Sequence, residues 1–139
     1  MVPYDLIKLA EKVRAAFEEI GSCNCDLAGW CGTASSHLAE AAKRLGIHGV
    51  DICVGSGHVY CMYSDNIIDI TATQFGVQDK VFIVSLFDLK EELAKRQLDN
   101  WFYWKQTSRN IAPYPLKSEH LQVVQRHTGE LAEQKEATV

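Results

Sequence analysis

Three residues that could together attack an amide occur along the chain in the order Cys31, His58 and Asp69. Cys31 follows the short loop that ends in Gly29-Trp30 and begins a run with helical periodicity, which predicts a helix N-terminus. The unpaired N–H groups and the positive dipole there favour thiolate over thiol, and thiolate is the nucleophile. Cys31 is therefore a candidate nucleophile, and the alternative is a small buried residue in the first helical turn.

His58 is the candidate base and Asp69 its candidate orienting group. His58 opens a predicted strand after the turn Gly55-Ser56-Gly57, where a neutral imidazole could take the thiol proton and return it to a leaving amine. The alternative is an ordinary turn histidine. Asp69 lies in the otherwise apolar run 67–70, where a carboxylate is costly unless it has a partner.

The register of the hairpin between these strands decides whether His58 and Asp69 can meet. If paired positions sum to an odd number, as when Tyr63 pairs with Asn66, both side chains lie on one face of the sheet. Asp69 would then lie diagonal to His58, within reach of a hydrogen bond from Nδ1. An even sum would turn Asp69 to the opposite face, and no triad could form.

Apolar periodicity predicts the elements that must position these residues. Three- and four-residue steps predict helices over 4–20 and 31–45, and Gly46 suits the C-terminal cap of the second. Alternating and β-branched residues predict strands, a capping box predicts a third helix, and an aromatic run is an edge strand or a packed loop. The predicted strands cover 50–54, 58–63, 67–70 and 80–85. The third helix covers 88–98, and the aromatic run covers 101–104. Two helices followed by mainly antiparallel strands predict an α+β fold.

Length and composition restrict the class of protein. The 139 residues fit one domain over 1–117, and the polar segment 118–139 is predicted to be a C-terminal helix or a flexible tail. The net charge of −4, with no strongly basic segment, argues against nucleic acid as the main partner. No apolar run is long enough to span a membrane. The five cysteines and the absence of a signal peptide at the start predict a cytoplasmic protein with thiols, leaderless secretion being the alternative.

The same residues resemble a known family. Four segments carry the resemblance: Gly29-Trp30-Cys31-Gly32, Leu45-Gly46-Ile47, Gly57-His58-Val59-Tyr60 and Ile67-Ile68-Asp69-Ile70-Thr71. In their order and spacing they are similar to the transglutaminase-like core of the papain-like cysteine protease superfamily. In that family a helix-starting Cys precedes a strand with His and a strand ending in Asp-x-Thr. The resemblance covers residues 29–76, and Gln74 with Gly76 echoes the deamidase and toxin-type domains of the superfamily.

The resemblance implies a papain/transglutaminase-like fold with the nucleophile at a helix start packed on an antiparallel sheet. It also implies acyl transfer on a peptide or protein amide through a thioester, of the peptidase, glutamine deamidase or transglutaminase type, without a cofactor or metal. Two positions depart from the family pattern. Tyr60 stands where transglutaminases have Trp, and no Gln precedes Cys31, so Asn24 is the nearest upstream amide for an oxyanion hole.

Other residues carry weaker indications. Trp30, Gly57 and Gln74 are candidates for the substrate cleft, although Trp30 could equally belong to the core. Cys23, Cys25 and Cys31 with His37 do not have zinc-knuckle spacing, and a disulfide from Cys23 or Cys25 to Cys31 is a weaker alternative. Cys53 and Cys61 are predicted to be packing residues, and His37 is predicted to face solvent.

Two rival functions remain open at this stage. One is a binding module that keeps the fold, contacts a protein partner and lacks turnover. The other lies within the enzyme class, as a bacterial or phage effector that modifies a host protein.

Overall fold

The structure is a computed structural model, and it describes residues 1–21, 26–98, 103 and 108–137. Within these ranges the chain forms four α-helices and a five-stranded antiparallel sheet, which is an α+β architecture. The helices are α1 (Tyr4–Ile20), α2 (Cys31–Arg44), α3 (Leu89–Lys95) and α4 (Ser118–Ala137). The strands are β1 (Val50–Val54), β2 (Val59–Tyr63), β3 (Asn66–Asp69), β4 (Phe82–Ser85) and β5 (Ser108–Arg109), and a 3₁₀ helix covers Ala72–Phe75.

The first two helices form where the periodicity predicts them. α1 buries the predicted stripe, including Leu6, Leu9 and Phe17. α2 starts at Cys31 and ends one residue before the predicted limit. The Ile47 N–H donates to the Ala42 carbonyl at 2.9 Å while Gly46 adopts φ 75°, the arrangement that closes a helix in a Schellman motif.

The sheet has the strand order β4-β3-β2-β1-β5, and each neighbouring pair is antiparallel. In the β2–β3 hairpin Tyr63 pairs with Asn66 and Cys61 with Ile68, so the odd-sum register is confirmed. Residues Cys61 and Ile68 face the core formed with α1 and α2. The opposite face carries a second core, with Tyr60, Met62, Ile67, Phe82, Leu93 and Tyr103 among its members.

The later elements are shorter than the sequence predicts. The β4 strand begins at Phe82, and α3 ends at Lys95. At the start of α3 the predicted capping box is not formed, because the Asp88 side chain makes no hydrogen bond to the helix backbone. Asp88 is instead engaged by Ser85, whose hydroxyl donates to its carboxylate at 3.0 Å. Apart from Tyr103, the aromatic run 101–104 lies outside the described residues.

The segment beginning at Ser118 forms α4, which packs along α1. Val124 is buried in the core shared with α1, and Arg126 binds the Glu19 carboxylate at 2.9 and 2.7 Å. The N-terminal half of α4 is thus held to α1 by apolar and ionic contacts. Among the helices in the described part of the chain, none has the length and apolar character needed to cross a membrane.

Candidate functional site

The three candidate residues meet at one end of the sheet. His58 precedes β2 and Asp69 ends β3, and the hairpin register puts their side chains together, with His58 Nε2 2.5 Å from Asp69 Oδ2. Cys31 lies in the first turn of α2, near enough to His58 for each side chain to shift the pKa of the other. His58 and Asp69 are fully buried, whereas Cys31 is half-buried. Cys31, the candidate nucleophile, is therefore the most accessible member of the group.

One detail of the predicted geometry is wrong. The hairpin geometry predicts a hydrogen bond to Asp69 from His58 Nδ1, but the structure shows Nε2 in this contact. The side-chain rotamer of His58, which no sequence pattern specifies, turns Nε2 toward Asp69. This leaves Nδ1 as the ring nitrogen for the Cys31 thiol.

Asp69 is a buried carboxylate with a full set of donors. Besides His58, the Tyr103 hydroxyl donates to Oδ2 at 2.6 Å. On the other oxygen, Oδ1 accepts from the Thr71 N–H at 2.8 Å and from the Thr71 hydroxyl at 3.3 Å. Burial by itself raises the pKa of Asp69, but His58, Tyr103 and Thr71 outweigh it and bring the pKa below its ordinary value.

The charges of the site favour a thiolate–imidazolium pair. Burial lowers the pKa of His58, but the Asp69 charge and hydrogen bond, together with Cys31, raise it to about 9. Burial raises the pKa of Cys31, but hydrogen bonds from His58 and from the Val59 backbone N–H, with the His58 charge, bring it below its ordinary value. A lowered thiol pKa and a raised imidazole pKa both favour proton transfer from Cys31 to His58, because the transfer depends on the difference between the two pKa values.

Helix α2 docks on β2 through polar contacts that hold the first half of the helix against the strand that follows His58. The Ser35 hydroxyl donates to the Val59 carbonyl at 3.3 Å, and the Cys61 thiol donates to the Ser35 carbonyl at 3.3 Å. Both contacts are buried. Cys61 is therefore a packing residue, as the sequence predicts, and burial raises the pKa of its thiol.

The loop before Cys31 has a constrained backbone. Leu27 is fully buried and adopts φ 59°, which is uncommon for a residue other than glycine, and Gly29 follows with φ 85°. Two hydrogen bonds of 3.1 Å close the turn. The Ala28 N–H donates to the Asp26 carboxylate, and the Trp30 N–H donates to the Leu27 carbonyl. This loop directs the chain into the first turn of α2.

A buried arginine ties this loop to the Asp69 segment. Arg14 Nη1 donates to the Ile70 carbonyl at 2.9 Å and to the Thr73 hydroxyl at 2.8 Å. The Thr73 hydroxyl in turn donates to the Asp26 carbonyl at 2.9 Å. Through this series of hydrogen bonds α1 connects the loop that precedes Cys31 with the segment that follows Asp69.

The weaker predicted site residues take different places. Gly57 is exposed in the turn before His58 with φ 73°, and no atom would contact a Cβ there within 4 Å. The Gln74 amide donates to the Thr71 carbonyl at 3.0 Å, so it supports the turn after Asp69. Trp30 is half-buried and packs on Phe17, with ring centroids 5.8 Å apart, which favours the core alternative. Asn24, Cys23 and Cys25 lie outside the described residues.

The prediction for His37 is wrong. Its side chain is buried and its ring lies 5.3 Å from the Phe17 ring and 6.1 Å from the His120 ring. The helix α4 covers the face of α2 on which His37 lies, so this face is not exposed to solvent. Burial, with the nearby His120 and Arg44, lowers the pKa of His37 to about 4.

Sequence reasoning missed Tyr103 and Arg14 as members of the site. Tyr103 is 34 residues from Asp69 along the chain, and nothing local marks it beyond the need of a buried hydroxyl for a partner. Arg14 occupies a position in α1 that apolar periodicity alone does not explain. Thr71, by contrast, could have been found from its place in the Asp-x-Thr motif.

Among the described residues, no group of three or more His, Cys, Asp or Glu side chains has the arrangement of a metal site. Cys31, Cys53 and Cys61 are free thiols. Comparisons of the chain with protein-family models, with curated proteins and with solved structures gave no significant match.

Proposed function

We propose that this protein is a cysteine-dependent amide hydrolase or acyltransferase with a papain/transglutaminase-like fold. Cys31 is the nucleophile, His58 is the base and then the acid, and Asp69 orients His58. The observation that carries the proposal is the buried His58–Asp69 hydrogen bond, with a half-buried Cys31 near enough to His58 for each to shift the pKa of the other. A nucleophile, a base within hydrogen-bond reach and a third orienting group are the parts that covalent amide chemistry requires.

The reaction follows from the positions of the protons. The Cys31 thiolate attacks the amide carbon, the new C–S bond forms and the carbonyl electron pair moves onto oxygen. When the oxyanion collapses, the C–N bond breaks and the His58 imidazolium gives its proton to the departing nitrogen. Water or an amine then attacks the thioester while His58 takes its proton, the C–S bond breaks and the thiolate returns.

The N-terminus of α2 supports stabilisation of the oxyanion. Trp30 is the N-cap residue, and no described side chain caps the first turn. The early N–H groups of a helix have no intrahelical acceptor, so the Cys31 N–H is available to a developing negative charge. A preorganised donor of this kind is commonly worth about 2.7–4 kcal/mol in the transition state. Asn24 remains the candidate for a second donor.

Alkylation with iodoacetamide tests the proposal without knowledge of the substrate. We expect Cys31, located by mass spectrometry, to react at pH 6, well below the free-thiol pKa of about 8.5. The variant His58→Ala should lose this reactivity, because the proton acceptor is gone. His48→Ala is the matched control, since His48 is an exposed histidine in the loop between α2 and β1.

The outcomes separate the enzyme from a binding module. Fast labelling of Cys31 that depends on His58 and not on His48 supports the catalytic pair. Labelling that is slow at pH 6 and equal in the three proteins would refute it. The buried thiols Cys53 and Cys61 serve as internal references in the same digest.

A further inference from the structure

An aromatic ring lies directly against the residue that follows the candidate nucleophile. A Cβ atom built on Gly32 would be 2.3 Å from Tyr114 Cε2, so the ring occupies the space that any larger residue would need. Gly32 is next to Cys31 in the first turn of α2, so the ring packs on the same helix start from which the Cys31 side chain projects. Tyr114 nevertheless remains 43% exposed. Part of the ring covers the start of α2, and the rest is open to solvent.

Hydrogen bonds fix the backbone that carries this ring. The Tyr114 N–H donates to the Ser36 hydroxyl oxygen at 2.8 Å, and the Ser36 hydroxyl donates to the Gly32 carbonyl at 2.8 Å. Ser36 is fully buried. The same helix turn that begins with the nucleophile therefore also holds the tyrosine.

The chain on either side of Tyr114 is stiff. Pro113 and Pro115 fix their own φ angles and disfavour helical conformations in the residues before them. Upstream, the Ile111 N–H donates to the Ile52 carbonyl at 3.0 Å, which anchors the segment to β1. Such a segment loses little conformational freedom when a ligand binds.

We propose that Tyr114 is a specificity-determining residue that forms an aromatic wall of the substrate cleft. This inference rests on the proposed function, and it assigns a substrate class to the same site. The preferred substrates are amides with an aromatic or other flat apolar group next to the reacting carbonyl. Such a group can stack on the open part of the ring while the carbonyl lies at Cys31, and aromatic pairs are stabilising beyond the area that they bury.

Two alkylating amides measure this preference. Iodoacetamide and N-phenyl iodoacetamide react by the same step, in which the thiolate forms an S–C bond and iodide leaves, but only the second carries a phenyl ring. We expect the rate ratio of the phenyl reagent to iodoacetamide at Cys31 to fall about 2- to 12-fold in Tyr114→Ala. Tyr114→Phe should retain the ratio of the unmodified protein, because the ring is kept.

A matched control and a folding check accompany the measurement. Phe87→Ala removes another exposed ring, 87% exposed in the turn between β4 and α3, and should leave the ratio unchanged. Thermal unfolding shows whether each variant is folded. If Tyr114→Ala does not fold, Tyr114→Leu tests the same loss of stacking with the volume largely kept.

The results distinguish failure of this inference from failure of the proposed function. An equal ratio in the unmodified protein and in the folded Tyr114 variants, with Cys31 still reactive at pH 6 and dependent on His58, would overturn the inference alone. A Cys31 that reacts slowly with both reagents, whether or not His58 is present, would overturn both.

Discussion

Replacement of Asp69 by asparagine removes the charge of the carboxylate while keeping its shape, and the effect should appear at the Cys31 thiol. The new carbonyl oxygen can still accept from Thr71, so the turn after β3 is kept. The new NH₂ group faces His58 Nε2, which must then accept a hydrogen bond. That forces the ring proton onto Nδ1, the nitrogen that should receive the thiol proton.

The magnitude follows from the pKa of His58, which lies at about 9 against an ordinary value of 6.5. The difference corresponds to about 3 kcal/mol in favour of the protonated ring. Without the Asp69 charge, burial lowers this pKa and the thiolate loses its partner. We therefore expect alkylation of Cys31 at pH 6 to fall about 10²- to 10³-fold, and to recover toward pH 10 as the thiol ionises unaided.

The control for this prediction is Asp65→Asn, the same chemical change at an exposed turn residue of the same hairpin. It should leave the rate of Cys31 alkylation within a factor of about two. If a folded Asp69→Asn protein alkylates at pH 6 as fast as the Asp65→Asn protein, the inferred role of the carboxylate is wrong.

Two further predictions concern stability. Tyr103→Phe removes one donor to the buried Asp69 carboxylate while keeping the ring, so urea denaturation should show a loss of about 1.5–3 kcal/mol; an unchanged midpoint would contradict the contact. In Cys31→Ala the raising contribution of Cys31 to the pKa of His58 is lost, but the charge and hydrogen bond of Asp69 still raise that pKa. The folded state then binds the proton more tightly than the unfolded state, so the free energy of unfolding should be greatest below pH 6.5 and fall toward pH 9. The fall should be smaller than the roughly 3 kcal/mol that corresponds to the His58 pKa of about 9 in the unmodified protein. A flat profile over this range in urea titrations would contradict the pairing.

Local patterns predicted the part of the fold that local forces determine. The bounds of α1 and the start of α2 at Cys31 follow from helical periodicity and from the glycine residues beside them. The sequence allowed an odd or an even sum for the hairpin register, and the structure shows the odd one. Because side chains alternate along a strand, the register alone was sufficient to bring His58 and Asp69 to one face.

Contacts between distant segments could not be predicted in this way. Tyr103 reaches Asp69 from 34 residues away, and α4 buries His37 from far along the chain. The choice of Nε2 over Nδ1 in His58 depends on a side-chain rotamer at a strand end, which no sequence pattern specifies. The positive φ of Leu27 likewise arises from closure of the loop before α2 and runs against the preference of its residue type.

The hairpin that joins His58 to Asp69 also has a consequence for how the protein folds. Only 11 residues separate the two partners, so the entropy lost on closing the chain between them is small. Hairpins of this size form on a timescale of about 1–10 μs, earlier than the assembly of a whole domain. The carboxylate can therefore meet its imidazole before the more distant parts of the chain pack around the pair and exclude water from it. Of the hydrogen bonds to Asp69, the one from Tyr103 has to wait for the distant part of the chain.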